Sequence, residues 1–277
     1  MRLYYYKDPH GIINFGDDLN PWIWSKLLPN GFLDKDQEHL LVGIGTLLND
    51  NLPKSASVSV FGSGVGYGTR PPVVDTRWKI YALRGPLSAK ALQVADEYAI
   101  TDGAYLLRGL IKDLPEKKFR VSYMPHFTLS SDSQRDWCES LGIHYIDPSK
   151  DIHITLQDIL KTELLLTEAM HGAIVADCFR IPWIPVKSSK TILDFKWIDW
   201  CSSLSIDYTP INIVPIWENV QNKAHKEFIN FSKSKINERI FKRAIEKHPR
   251  SLSGNEISKL RFQQLSDKIV ELVERNA

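Results

Sequence analysis

The chain has 277 residues, 43% of them hydrophobic and 25% charged, with a net charge of +2. This is the composition of an ordinary soluble globular protein, long enough for two moderate domains or one large one. No apolar run is long enough to span a membrane, and the N-terminal MRLYYYKDPHG lacks the apolar core of a signal peptide. Cys138, Cys178 and Cys201 show neither metal-site spacing nor an even disulfide framework, so a reducing, cytoplasmic setting is expected.

In chain order, Arg2–Tyr6 predicts a strand, and Asn14 to Asn20 a polar, glycine-containing loop. Pro21 then suits the first turn of a helix carrying Trp22, Ile23, Trp24 and Leu27. Strands are expected at His39–Ile44, Ser57–Phe61 and Lys79–Leu83, the second followed by Gly62-Ser63-Gly64-Val65-Gly66 and the third by Arg84-Gly85-Pro86 opening a helix. Ile100 to Ala104 ends the next step. Repeated strand–loop–helix units of this kind argue for a parallel sheet covered by helices.

The polar stretch Asp113–Lys118 is the expected linker. A second rhythm follows, with strands at Phe119–Met124, His144–Ile146, Leu164–Leu166 and Ile181–Val186, and helices at Asp132–Leu141 and Ile154–Lys161. Thr167 and Glu168 are read as the cap and first turn of a helix running to Ala176, so the segment 164–186 is a β-α-β unit. After Pro210 the pattern is basic and helical. Residues 221–277 hold 13 Lys and Arg against 7 Asp and Glu, which leaves residues 1–220 mildly acidic. The basic residues are not interleaved with exposed aromatics in a recognisable module, so no nucleic-acid partner is expected. Phe228, Phe231, Ile236, Ile240, Phe241 and Ala244 gather towards one side of a basic helix, a pattern that suits peripheral contact with an anionic membrane or a face packed on the body.

The expected architecture is α/β: two facing lobes, 1–115 and 119–215, with a cleft between them and a basic helical tail over 216–277. Ligands of open α/β sheets bind beyond the carboxyl ends of strands. His171 falls there, near a helix N-terminus whose unpaired N–H groups attract anions. It can donate a proton beside a phosphate, or merely pack or cap. Arg84 can grip a carboxylate or phosphate with two prongs, or serve a surface ion pair. Ser63 and Gly64 belong to a loop whose backbone can approach an anion, although it matches neither GxGxxG nor a P-loop. Asp17 and Asp18 can act on a sugar hydroxyl or favour a helix start. Asn14, Asp102 and His126 are candidates for the acceptor, Asp102 leaning towards an Asx turn or a supporting role. Gly172 and Lys187 flank the donor side. No metal-ligand spacing and no serine nucleophile elbow is present, so no metal and no cofactor is expected.

Together NFGDDLNPW, VFGSGVG, ALRGPLSAKAL, ITDGAYLL, MPH and TEAMHGAIVADCFRIPWIPV resemble the polysaccharide pyruvyl transferase family, most of all the bacterial exopolysaccharide ketal-pyruvyltransferases of the xanthan type. The resemblance covers roughly residues 1–205. It implies a GT-B-like fold of two Rossmann-like lobes, 1–115 on the acceptor side and 119–215 on the donor side, and transfer of pyruvyl from phosphoenolpyruvate to two hydroxyls of a sugar, forming a cyclic ketal and releasing phosphate. The acceptor is then a repeat unit on a lipid carrier. The family's loop acid corresponds to Asp17 or Asp18, its donor arginine to Arg84 and the histidine of its Arg-Leu/Met-His motif to His171. The arginine of that motif is replaced by Ala169, so one donor cation must come from elsewhere or the donor is held more by backbone N–H groups. The rival readings are a metal-independent glycosyltransferase using a nucleotide sugar and a non-catalytic carbohydrate-binding protein.

Overall fold

A computed structural model describes residues 1–34, 38–68, 70–215 and 223–276, the side chains of 223–229 excepted. In chain order the elements are β1 (Arg2–Tyr4), α1 (Phe15–Leu27), β2 (His39–Val42), β3 (Ser57–Ser63), β4 (Trp78–Leu83), α2 (Pro86–Leu92) and α3 (Leu107–Leu110). There follow β5 (Ser122–Met124), α4 (Asp132–Ser140), β6 (His144–Tyr145), α5 (Ile152–Leu160), β7 (Leu165–Thr167), α6 (Met170–Cys178) and β8 (Trp183–Lys187). The last are α7 (Asp194–Ser203), β9 (Ile211–Asn212), α8 (Lys223–Lys247) and α9 (Asn255–Glu274).

The chain divides into two compact units. Unit 1 holds Met1–Leu114, Leu193–Tyr208 and Ser253–Ala277, and unit 2 holds Pro115–Ile192 and Thr209–Leu252. The first boundary falls in the polar stretch 113–118, but the later organisation differs from the sequence expectation. Residues 193–208 return to unit 1 instead of completing a second lobe. The segment 216–277, expected as one tail, is shared between the units, and its residues 216–222 lie outside the described residues. Burial explains the division. Phe241 of α8 is buried among Tyr123, Trp137, Tyr145 and Ile184 of unit 2. In α9, Leu265 and Leu272 are fully buried, and Tyr105 Oη donates to Ser258 Oγ at 3.2 Å, both in unit 1.

Each unit has one sheet, parallel throughout. Unit 1 has the order β1-β2-β3-β4, and unit 2 the order β6-β5-β7-β8-β9. Only the second reverses direction, between β5 and β7, as a doubly wound Rossmann-like sheet does. In such sheets the reversal opens a crevice at the carboxyl ends of the two strands. Unit 1 progresses one strand at a time, so the Rossmann-like expectation does not hold for its strand order. The apolar strands are buried on both faces, as parallel strands between helices require.

Helix α1 starts six residues before the expected position, and Asp17 and Asp18 lie in its first turn, not in a loop. Asn14 is the cap: its N–H donates to Asp18 Oδ2 at 3.1 Å, and its side-chain amide donates to Asp17 Oδ2. Pro21 therefore sits inside the helix and has no N–H for the Asp17 carbonyl. The buried Asn20 side chain supplies the missing donor, from Nδ2 to Asp17 O at 3.0 Å. The same Asn20 donates to Ile44 O, and its Oδ1 accepts from Ile44 N–H and Trp24 Nε1. Both donors and both lone pairs of this amide are used, which fixes α1 to the exit of β2.

Candidate active site

In unit 1 the chemistry gathers beyond the carboxyl ends of β2 and β3. Gly62 bulges β3 against β4, at φ +74° and against the backbone of Gly103, where a side chain has no room. Ser63 Oγ then donates to Gly45 O at 3.0 Å, and Gly64 N–H to the same carbonyl at 3.0 Å. The space beside Gly64 is filled by the Arg84 guanidinium, so this glycine admits an internal side chain.

Arg84 is fully buried. Its Nε donates to Asp199 Oδ2 at 3.1 Å, Nη1 to Thr46 Oγ1 at 2.8 Å and Nη2 to Val65 O at 2.9 Å. Asp199 also accepts from the N–H and hydroxyl of Ser88 in α2. The arginine thus holds the glycine loop to β2's exit and to α7. The pair is internal, unlike the surface ion pair that the sequence reading set beside a ligand-gripping role.

Asp17 is 9% exposed. Burial raises its carboxyl to about 7, opposed first by the Lys196 ammonium and reinforced by the Asp18 charge. Asp102 is fully buried and also raised to about 7 by burial, against the Ala104 N–H it accepts at 2.9 Å and the charge of Arg84. It caps the 3₁₀ turn Gly103–Leu106, the Asx-type role.

In unit 2 His126, His171 and Gly172 follow the two strands of the β5/β7 reversal, and Lys187 ends the neighbouring β8. His126 follows β5 and caps the 3₁₀ turn Phe127–Leu129, with Nδ1 2.8 Å from Thr128 Oγ1. Helix α6 begins at Met170, with Ala169 as a cap that offers no side-chain acceptor. The first-turn N–H groups, beside the half-buried His171, are those a helix leaves without intrahelical partners. Gly172 lets α6 approach Met124 and Thr167, where a methyl group has no room. Lys187 ends β8 and is half-buried.

Glu168 differs from its expected place. It precedes α6, is fully buried, and joins three strand ends: Oε2 accepts from Tyr123 Oη at 3.0 Å and His126 N–H at 3.4 Å, and Oε1 from Ser188 N–H at 2.7 Å. Burial raises its carboxyl above the ordinary range, against the hydrogen bonds from Ser188 and Tyr123. Its signal in the sequence is an acid set directly after an apolar strand, which must find partners once buried. Lys196 and Asp199 carried no such signal, because their partners lie in distant segments. Among the described residues no group of three or more His, Cys, Asp or Glu side chains is placed to hold a metal ion.

No family model matches the chain. The succinoglycan biosynthesis protein ExoV of Rhizobium meliloti (strain 1021) is 44% identical over 220 residues, covering 76% of this chain and 67% of that protein. The chain belongs to the polysaccharide pyruvyl transferase family. It is therefore an enzyme, a polysaccharide pyruvyltransferase. Two solved structures of the wall teichoic acid polymerase TagF are also similar. One is 14% identical, with 85% of this chain and 72% of that chain covered and a TM-score of 0.35. The other is 12% identical, with 86% and 74% covered and a TM-score of 0.33. In unit 1 of this pyruvyltransferase the buried Arg84 and the cap Asp102 hold the loops beyond β2 and β3, and in unit 2 His171 stands in the first turn of α6.

Proposed function

We propose that this pyruvyltransferase acts in exopolysaccharide synthesis, moving pyruvyl from phosphoenolpyruvate to two hydroxyls of a sugar in a lipid-linked repeat unit. The observation that carries the reading is the 44% identity to a succinoglycan biosynthesis protein, whose name places that relative in polysaccharide assembly. The local geometry agrees with the chemistry the reaction needs. His171 stands at the start of α6, beside N–H groups suited to a phosphate. In this reading it protonates C3 of the enol phosphate, so C2 becomes electrophilic. Asp17 takes the proton of the first sugar hydroxyl as its oxygen bonds to C2. The C2–O bond to phosphate then breaks, the electron pair leaves with phosphate, and the second hydroxyl closes the ketal while giving its proton to the departing phosphate. A helix N-terminus stabilises the charge that develops on phosphate. A GT-B-like arrangement belongs to the same proposal.

The test incubates the full chain with phosphoenolpyruvate and lipid-linked oligosaccharides from an exopolysaccharide-producing cell. The expected result is inorganic phosphate release together with a pyruvyl ketal mass gain on the oligosaccharide. His171→Asn lowers turnover by about 10²–10⁴-fold, the contribution of a general acid. Release of a nucleoside diphosphate from a nucleotide sugar, with no use of phosphoenolpyruvate, overturns the reading.

A further inference from the structure

The glycine loop after β3 ends in Gly66-Tyr67-Gly68. Tyr67 is held in a left-handed conformation at φ +51°, between Gly66 at +146° and Gly68 at +70°. A bulky side chain rarely adopts that backbone, and such outliers gather at functional positions. The ring gains little burial in return, since Tyr67 is 50% exposed. Its hydroxyl is nevertheless fixed. Lys196 of α7, only 7% exposed, donates from Nζ to Tyr67 Oη at 3.0 Å. The ammonium lies 5.4 Å from the ring centre, so it stands at the hydroxyl end and not over the middle of a face. A single exposed ring on a surface is ordinary. A strained one tied to a buried ammonium is not, because both features cost stability.

The loop is fastened to the exit of β2. Ser63 Oγ and Gly64 N–H both donate to Gly45 O, Leu48 N–H donates to Gly64 O at 3.2 Å, and Asn49 Nδ2 donates to Gly66 O at 3.4 Å. Thr46 Cγ2 lies so close to Gly66 that a methyl group there has no room. Asp17 meets the same segment from the other side. Its Oδ1 lies 3.1 Å from where a Cβ on Gly45 would stand, and Gly45, at φ +127°, leaves that space to the carboxylate. Asp17 and the loop that carries Tyr67 therefore close on the same two residues, Gly45 and Thr46, all within unit 1.

A pyranose presents C–H groups on its faces and hydroxyls around its rim. A flat, stiff ring with a wet edge suits the faces, and a carboxylate suits the rim. We propose that Tyr67 is the platform on which the acceptor's sugar ring stacks beside Asp17, and that Lys196 is the positioning residue that holds the platform. The proposal rests on the reading of Asp17 as the base for a sugar hydroxyl. Tyr67 touches the acceptor and takes no part in proton transfer.

The test uses the full chain with phosphoenolpyruvate and the lipid-linked oligosaccharides, and the oligosaccharide released from its carrier as a binding probe. Tyr67→Asn removes the ring and suits a left-handed backbone. It raises the acceptor KM by about ten-fold, the size of a lost aromatic contact. KM for phosphoenolpyruvate stays within a few-fold, and the unfolding temperature is no lower than that of wild type. Tyr67→Trp keeps a flat face and restores most of the acceptor affinity. Tyr67→Phe and Lys196→Met release the ring and raise the acceptor KM less than Tyr67→Asn does. If Lys196→Met does not fold, Tyr67→Phe carries that comparison. In saturation-transfer NMR, magnetisation passes from the protein to the sugar C–H protons in wild type and Tyr67→Trp, and much less in Tyr67→Asn. An unchanged acceptor KM in Tyr67→Asn, equal saturation transfer in wild type and Tyr67→Asn, or a lowered unfolding temperature that accompanies an equal rise in both KM values, overturns the proposal. An active Asp17→Asn enzyme instead sinks the reading of Asp17 as base. The NMR comparison requires no turnover, so it separates that failure, or a failure to use phosphoenolpyruvate, from a Tyr67 that does not touch the acceptor.

Discussion

Arg84 shows how one side chain can be legible in place while its partners are not. A strand followed by Arg-Gly-Pro locates it at a sheet's carboxyl edge, where the structure has it. Its burial was not legible, because Asp199 lies 115 residues away in a segment that crosses unit 2 before returning. Three separate acceptors surround the guanidinium, and a lysine reaches them from one point only. Arg84→Lys is therefore expected to lower stability by about 1–3 kcal/mol through lost buried hydrogen bonds. Urea unfolding measures this. In the fraction that folds, KM for phosphoenolpyruvate and for the acceptor should move together. A selective rise in the donor KM at unchanged stability would place the guanidinium on the donor instead. His171 was legible in place, just past the end of β7, whereas Asp17 was expected in a loop and lies in the first turn of α1.

Elements with a local cause were read closely. The β-α-β segment of unit 2 appears as β7, α6 and β8, because an apolar run, small helical residues and a second apolar run leave little choice. The start of α1 was missed because the proline signal for a first turn was outweighed by Asn14 as cap and Asn20 as substitute donor, a tertiary arrangement. Helix α8 was read correctly as basic, but its faces depend on unit 2. Phe241 and Ala244 are buried and Ile240 packs against the same core, whereas Phe231 and Ile236 are exposed; Phe228 lies outside the described side chains. The apolar face left for a lipid surface is thus smaller than the sequence pattern implied. Glu238 also accepts from Lys235 and Lys242, which reduces their net charge. Peripheral contact with an anionic leaflet, as we propose it, then relies mainly on basic charge, at about 1 kcal/mol per residue near the surface. The chain should sediment with phosphatidylserine-containing vesicles at low salt and be released at high salt. Changing Lys233, Lys235, Arg239, Lys242 and Arg243 to Gln should abolish sedimentation, while Phe231→Ser should only weaken it. Equal sedimentation of the five-fold variant would rule the contact out.

At the scale of the whole molecule, each sheet's parallel character follows from the strand–helix rhythm, but strand order does not. The reversal between β5 and β7, and its absence from unit 1, depend on which crossovers pass which edge. The interrupted return of 193–208 and 253–277 to unit 1 has no local signature either. That return carries Asp199 and Lys196 to unit 1 and so governs its buried charge. Asp17 and Asp102 are both raised to about 7 by burial. An acid raised on folding keeps its proton in the folded chain at pH values where the unfolded chain has lost it. The stability these two groups confer is full below about pH 4, the ordinary range of aspartate, and is lost as pH rises through about 7. Glu238, lowered to about 2 by Lys242 and Lys235, works in the opposite sense, in a window below its ordinary value, and is too exposed to compete. Chemical unfolding should therefore show stability falling as pH rises from about 4 to about 7. Asp102→Asn separates its charge from its hydrogen bond, since the amide oxygen can still accept from Ala104 N–H. The variant should gain stability relative to wild type on the alkaline side and lose that advantage on the acid side, flattening the slope. An unchanged slope would mean that Asp102 does not hold its proton in the folded chain and that Arg84 neutralises it across the site.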